Sequence, residues 1–149
     1  MKKTVVLGAS PNPSRYAFLA CNMLHQAGFE FVPVGIKRGE ILQQSILDLR
    51  AKPPIEDVHT VTLYLNPTNQ QEWYDYITGL KPKRIIFNPG TENRELELLA
   101  AKQGIASLYA CTLVLIRSNQ FENHTPLAIG SVESDRSVKN VTNKAHIRF

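Results

Sequence analysis

Three regularities of this 149-residue sequence predict an α/β domain built on a doubly wound parallel sheet. Short runs rich in β-branched and aromatic residues recur at 4–7, 30–34, 60–65 and 84–87, with a further apolar run at 105–109. Between them lie stretches whose apolar residues follow the i, i+3, i+4 spacing of amphipathic helices. Each of the first four runs is followed by glycine or Asn-Pro, the punctuation of strand-to-helix turns. Strands that alternate with helices form right-handed crossover units and pair in parallel. The expected fold is therefore a Rossmann-like α/β sheet of about five strands with helices on both faces, its C-terminal strand ends gathered around one crevice.

The elements follow in order. The first strand, 4–7, runs into Gly8-Ala9-Ser10-Pro11-Asn12-Pro13-Ser14-Arg15 and then a helix over 16–26 that stops at Gly28. Residues 30–34, with Phe31, Val32 and Val34, read as the second strand, closed by Gly35. Residues 37–57 read as a loop in which Ile46, Leu47 and Leu49 make at most a helical turn before Pro53-Pro54 breaks it. The third strand spans 60–65, and Asn66-Pro67-Thr68 caps a second helix over 70–78 with Trp73, Tyr76 and Ile77 on its apolar side. The fourth strand, 84–87, leads through Asn88-Pro89-Gly90 into a third helix that starts at Thr91 or Asn93 and ends before Gly104. Residues 105–109 and 113–116 supply the last apolar elements. The domain is thus expected to span 1–121, followed by a polar tail over 122–149. The tail is either loose or adds a strand near 127–129 or 139–142, and no function is placed there.

Composition narrows the function classes. With 43% hydrophobic and 20% charged residues the chain reads as an ordinary globular domain. No apolar run approaches the roughly 18 residues of a membrane span, and Lys2-Lys3 precede too few apolar residues for a signal peptide, so a cytoplasmic protein is expected. Cys21 and Cys111 lack any CxxC spacing and read as free thiols, Cys21 buried in the first helix. His25, His59, His124 and His146 show no metal-ligand spacing. A net charge of +4 suits an anionic ligand, while the absence of a basic stripe interleaved with aromatics argues against nucleic acid.

The first strand-to-helix turn carries most of the functional signal. A helix N-terminus placed at a strand end aims free N–H groups and a positive dipole end at whatever occupies the crevice. The turn is neither GxGxxG nor a Walker loop, so an ordinary tight turn remains open. A side chain at Gly8 is expected to fill the turn where an anion approaches. At the end of the second strand, where dinucleotide-binding domains place a carboxylate for the ribose diol, this chain has Gly35-Ile36-Lys37-Arg38. Two cations favour a phosphorylated ribose or a pyrophosphate, the alternative being a solvated loop. Arg15 can pair with phosphate, Tyr16 can cover an adenine or pack on the sheet, Asn88 offers its amide, and Glu92 is expected to cap the third helix. No Ser-His-Asp set, acidic pair or metal cluster can be assembled, and Cys111 would act as a nucleophile only with a stabilised thiolate. A binding module is favoured over an enzyme.

The motif Val5 to Arg15, the Phe31-Val32-Pro33-Val34 strand, the strand end before Pro67, Asn88-Pro89-Gly90 and Ala110-Cys111 together resemble the small single-domain CoA-binding protein family. The domain of that family is similar to the CoA-binding domain of the succinyl-CoA synthetase α subunit. The resemblance implies that Gly8, Ala9, Ser10 and the helix start Ser14, Arg15 and Tyr16 hold the pyrophosphate of coenzyme A. It implies that Val34, Gly35, Lys37 and Arg38 approach the adenosine and its 3′-phosphate. Leu65, Asn66 and Pro67, with Asn88, Pro89, Gly90 and Cys111, would complete the crevice. Relatives usually carry Asn at the position of Gly35, so ribose contacts are expected to differ. The ligand expected is coenzyme A or an acyl-CoA, bound without catalysis. An NADP-linked or other nucleotide-dependent enzyme, and a ligand-responsive sensor or interaction protein, are the alternatives. A homodimer or an unidentified protein partner stays open.

Overall fold

The computed structural model describes residues 2–122. In chain order these form β1 (Lys3–Leu7), α1 (Tyr16–Gln26), β2 (Glu30–Gly35), β3 (Glu40–Ile41), β4 (Gln44–Ser45), β5 (Leu47–Asp48), β6 (Val58–Leu63), α2 (Pro67–Gln70), α3 (Tyr74–Gly79), β7 (Arg84–Phe87), α4 (Arg94–Lys102), β8 (Ala106–Tyr109) and α5 (Thr112–Arg117). Single 3₁₀ turns lie at Leu49–Ala51 and Gln71–Trp73. Six strands make one parallel sheet in the order β5-β2-β1-β6-β7-β8. The chain lays β2 and β5 on one side of β1, then returns to the other side with β6, so the winding reverses between β1 and β6. Crevices of open α/β sheets form at such a reversal.

The central strands β1, β6 and β7 are buried on both faces, as strands inside a parallel sheet are. Their two-residue period assigns neighbours to opposite cores. Val5 and Leu7 of β1, and Ile85 and Phe87 of β7, pack with Trp73, Ile77, Leu96 and Ala100 on the α2–α4 face. Val6 and Ile86 pack with Ala17, Cys21, Leu24 and Leu115 on the α1 and α5 face. The buried positions Ala17, Ala20, Cys21 and Leu24 of α1 are spaced as one helical stripe.

Several sequence expectations shift. The third strand runs Val58–Leu63 rather than 60–65, and the Tyr64 N–H just past its end still donates to the Leu7 carbonyl (2.8 Å). The second helix starts earlier, at Pro67, since the Asn66 side chain accepts from Asn69 N–H, and it is interrupted by a 3₁₀ turn. Residues 37–57, expected as loop, hold a tight hairpin, β3 with β4, and the edge strand β5, which makes the sheet six strands wide rather than five. Leu42 and Gln43 both take positive φ, as a two-residue hairpin turn of this kind demands, although neither is the glycine or asparagine that signals one. Residues 113–116 belong to helix α5. The tail beyond Glu122, including both extra strands considered for it, lies outside the described residues.

Two glycines allow the strand ends to close on each other. Gly8 has φ +100°, and a Cβ there would stand 2.9 Å from the Tyr64 carbonyl carbon and oxygen. A Cβ on Gly35 would stand 2.5 Å from the Ala9 carbonyl oxygen. The first thing a side chain at Gly8 meets is thus the backbone after β6. Gly8→Val is expected to cost about 1–3 kcal/mol from the left-handed backbone alone, before the clash, and a lowered urea midpoint in the ligand-free protein is the check.

The N-terminal ends of β6 and β7 hold a buried cation. Arg84 is fully buried, donates Nε to Thr60 Oγ1 (2.8 Å) and Nη2 to the Phe121 carbonyl (2.7 Å), and lies 4.7 Å from the centre of the Phe121 ring. His59 Nδ1 is 2.8 Å from the same Thr60 hydroxyl. That oxygen accepts from Arg84 and can either donate to Nδ1 or accept from it, according to the imidazole tautomer. Burial, then the charges of Arg84, Lys2 and Lys83, bring the His59 pKa down to about 4. A folded-state value below that of the unfolded chain means that the unfolded state binds the proton first. This contribution is therefore complete above about pH 6.5 and is lost as the pH falls toward 4. His59→Gln, whose amide can pair with Thr60 in either direction but does not titrate, is expected to flatten the decline of the urea midpoint across that window. A variant with an unchanged decline would assign acid sensitivity to the carboxylates instead.

Candidate functional site

The loop after β1 is built by backbone hydrogen bonds to its neighbour strand. Gly8 and Ala9 N–H both donate to the Val34 carbonyl, at 2.8 and 3.0 Å. Two amides expected to face a pyrophosphate are therefore engaged in joining the loop to β2. Asn12, which sequence reasoning did not single out, organises the rest. Its N–H donates to Ser10 Oγ (3.1 Å), its Oδ1 accepts from Ser14 N–H (3.0 Å) and Ser14 Oγ (2.9 Å), and its carbonyl accepts from Arg15 N–H (3.0 Å). The signal was present in the Asn-Pro-Ser spacing, since an Asn side chain closes a turn onto the amide two residues on.

Helix α1 begins without a lid. Arg15, at its N-cap, has extended backbone and makes no side-chain cap, and the first turn holds no acidic residue. The first intrahelical bond runs from Leu19 N–H to the Arg15 carbonyl, so the amides of Tyr16, Ala17 and Phe18 precede the ladder. These amides and the exposed Ser14, Arg15 and Tyr16 stand together at the crest.

At the end of β2, Val34 and Gly35 are buried, whereas Ile36, Lys37 and Arg38 are exposed. Pairing of β5 with β2 sets Asp48 beside Gly35, so the fold places a carboxylate where the local sequence shows none. That carboxylate is engaged: Asp48 Oδ1 accepts from Arg50 N–H (3.0 Å) and Nε (3.1 Å). The Arg50 side chain, then its backbone N–H, hold the Asp48 pKa below the ordinary carboxylate value.

The ends of β6, β7 and β8 are knitted together by buried polar groups. Asn88 Nδ2 donates to Thr62 Oγ1 (2.7 Å) and the Leu63 carbonyl (2.8 Å), and its Oδ1 accepts from Thr112 N–H (2.8 Å). Its amide, expected to be offered to a ligand, instead ties β7 to β6 and to the start of α5. Asn66 caps α2, Pro67 is its first residue, and the Leu65 carbonyl accepts from Gln70 Nε2 (2.8 Å). Gln70 also donates to the Thr91 carbonyl (2.9 Å), so the loops after β6 and β7 are joined. Glu92 does not cap α4: its Oε1 takes Gly90 N–H (2.9 Å), and Asn93 Oδ1 takes Leu96 N–H in the capping role. Pro89 and Gly90 are exposed, Gly90 with φ +91°.

Cys111 is half-buried at the N-cap of α5, beyond the end of β8. Cys21 is buried under α1, which pushes its thiol up to about 12 and leaves it inert. Tyr64, just past β6, buries its hydroxyl without a hydrogen-bond partner among the described residues, and burial raises its phenol. All the candidate residues thus lie at the C-terminal crest of consecutive strands. They divide into those that build the crest (Gly8, Ala9, Val34, Gly35, Leu65, Asn88, and Asn66 and Pro67 at the start of α2, Asn66 being exposed), the half-buried Ser10 and Cys111, and those exposed along it (Ser14, Arg15, Tyr16, Lys37, Arg38, Pro89, Gly90).

Among the described residues no helix is long and apolar enough to cross a membrane. No curated protein matches the chain. Its fold is similar to that in the crystal structure of an uncharacterized protein, at 53% identity and TM-score 0.78, over 81% of this chain and 98% of that one. A hypothetical protein from Pyrococcus horikoshii OT3 is similar at 25% identity and TM-score 0.67, over 80% and 83% of the two chains. A dinucleotide-forming acetyl-coenzyme A synthetase from Ca. Korarchaeum cryptofilum shares the fold at 18% identity and TM-score 0.55, over 72% of this chain and 25% of that one. The family model described as CoA binding domain matches residues 2–117, from β1 to α5. With the match spanning every strand that contributes to the crest, the chain belongs to the CoA binding domain family.

Proposed function

We propose that the protein binds coenzyme A or an acyl-CoA across the crest of β2, β1, β6 and β7 and does not itself transform it. The observation that carries this reading is the uncapped N-terminus of α1, set at the end of the strand next to the winding reversal. Its amides at Tyr16, Ala17 and Phe18, with Ser10, Ser14 and Arg15, suit a pyrophosphate. Lys37 and Arg38 suit the phosphorylated ribose at the adenosine end, next to Val34 and Gly35. The pantetheine arm would then run past Leu65 to Pro67 and Pro89-Gly90 toward Cys111. A binding role is supported by the condition of the polar groups at the crest. Asn88 is an amide with no basic character and is bonded within the fold, while the Glu92 and Asp48 carboxylates accept hydrogen bonds from Gly90 N–H and Arg50.

Calorimetric titration of the ligand-stripped protein at about 0.15 M salt tests the reading directly. CoA is expected to bind at micromolar or tighter concentration and ahead of NADP; heat from NADP with none from CoA would replace this proposal with a nucleotide-dependent enzyme. Lys37→Ala is expected to weaken CoA more than 3′-dephospho-CoA, by about 1 kcal/mol for an exposed charge-assisted contact. Equal losses for the two ligands would show that Lys37 does not meet the 3′-phosphate.

A further inference from the structure

Arg50 lies 14 residues beyond Ile36 in the chain, in a stretch that reads as loop. The sheet brings it back to the end of β2. Leu47 pairs with Val34 and Asp48 with Gly35, and Asp48 then caps the 3₁₀ turn that carries Arg50. Two contacts steer the Arg50 side chain over the strand end. Its Nε–H donates to Asp48 Oδ1 at 3.1 Å, and Nη2 reaches the Ile36 carbonyl at 3.5 Å. The residue after Ile36 is Lys37, so this guanidinium sits on the same rim as Lys37 and Arg38. Among the described residues its Nη1 makes no hydrogen bond, which leaves N–H groups of the planar fork open toward solvent.

The charges on this rim do not balance. Asp48 is engaged by Arg50, and the exposed Lys37 and Arg38 carry no ion pair among the described residues. The Asp48–Arg50 pair is itself exposed, with side-chain exposures of 52% and 63%, so it contributes little to stability. A pair of such small energetic value still orients the fork. Oriented guanidinium edges suit tetrahedral oxyanions that two oxygens can approach together.

We propose that Arg50 is a specificity-determining residue of the adenosine end of this site, reading a phosphate monoester on the ligand's ribose, with Asp48 as its positioning residue. The inference rests on the CoA reading for the identity of that ligand. The same chemistry is presented by the 3′-phosphate of CoA and by the 2′-phosphate of NADP, and the test separates them. Full-length wild type, R50M and R50K are titrated with CoA, 3′-dephospho-CoA, NADP and NAD, and thermal unfolding is run alongside to show that all three proteins are folded. Wild type is expected to prefer CoA over 3′-dephospho-CoA. R50M is expected to lose about tenfold in CoA affinity with 3′-dephospho-CoA unchanged, and R50K, which keeps the charge without the fork, to fall between. Equal CoA affinities for wild type and R50M, or equal losses for CoA and 3′-dephospho-CoA, would overturn the role of Arg50 and leave CoA binding standing. A wild type that ignores CoA but prefers NADP to NAD, with that preference lost in R50M, would keep the role of Arg50 and overturn the CoA reading.

Discussion

The carbonyl of Val34 is the point on which the crest depends. It accepts both Gly8 and Ala9 N–H, so the loop that leaves β1 is bonded to the end of β2 before it reaches Ser10. The same approach brings Gly35 against the Ala9 carbonyl and Gly8 against the backbone of Tyr64, and three strand ends meet at distances that exclude a Cβ. The loop can then rise over the sheet only along Pro11 to Arg15, where Asn12 closes it and delivers the chain into α1. The helix N-terminus is thus aimed by backbone hydrogen bonds and by two residues without side chains, rather than by a capping group.

A second constraint lies on the other side of the winding reversal. Thr60 and Thr62 occupy alternate positions of β6 and turn hydroxyls to one face of the sheet, where apolar side chains would otherwise sit. Each has a partner of stronger polarity: Thr60 takes Arg84, and Thr62 takes Asn88 and meets the Thr112 hydroxyl at 2.7 Å. Buried groups of this kind cost stability unless satisfied, and satisfied they fix register, because a slip of one residue would strand every partner. The arrangement explains why Asn88, a residue whose place after a strand suggests ligand contact, acts inside the fold. The open positions at the crest are those next to it, Pro89 and Gly90.

The α1 end of the crest and the β2 end are electrically alike. The positive end of the helix dipole, Arg15, Lys37, Arg38 and Arg50 all lie there, and the one carboxylate beside Gly35 is held by Arg50. An anionic ligand that spans from the helix N-terminus to the β2 rim would meet a surplus of positive charge, with the Asp48 carboxylate paired to Arg50. The pyrophosphate and ribose phosphate of a CoA nucleotide are spaced along a single arm of that kind.

The alternation of apolar runs with amphipathic stretches determined the parallel α/β class, because residues buried on both faces of a sheet and on one face of a helix leave different periods in the chain. That the strand-one turn, the cations after β2 and the Asn-Pro-Gly turn stand at strand ends was legible for the same reason: each is local, and its position follows from the strand before it. Glu92 and Asn88 were read less well, since a polar residue at a turn has several partners within reach and only packing selects among them. The sequence could not show β5, a two-residue strand whose existence depends on an edge of β2 being free to pair. Nor could it show that Asp48 and Arg50 return to the end of β2, or that Gly8 is required by the backbone of Tyr64. Those placements depend on contacts between segments far apart in the chain, and only the closed sheet brings them together.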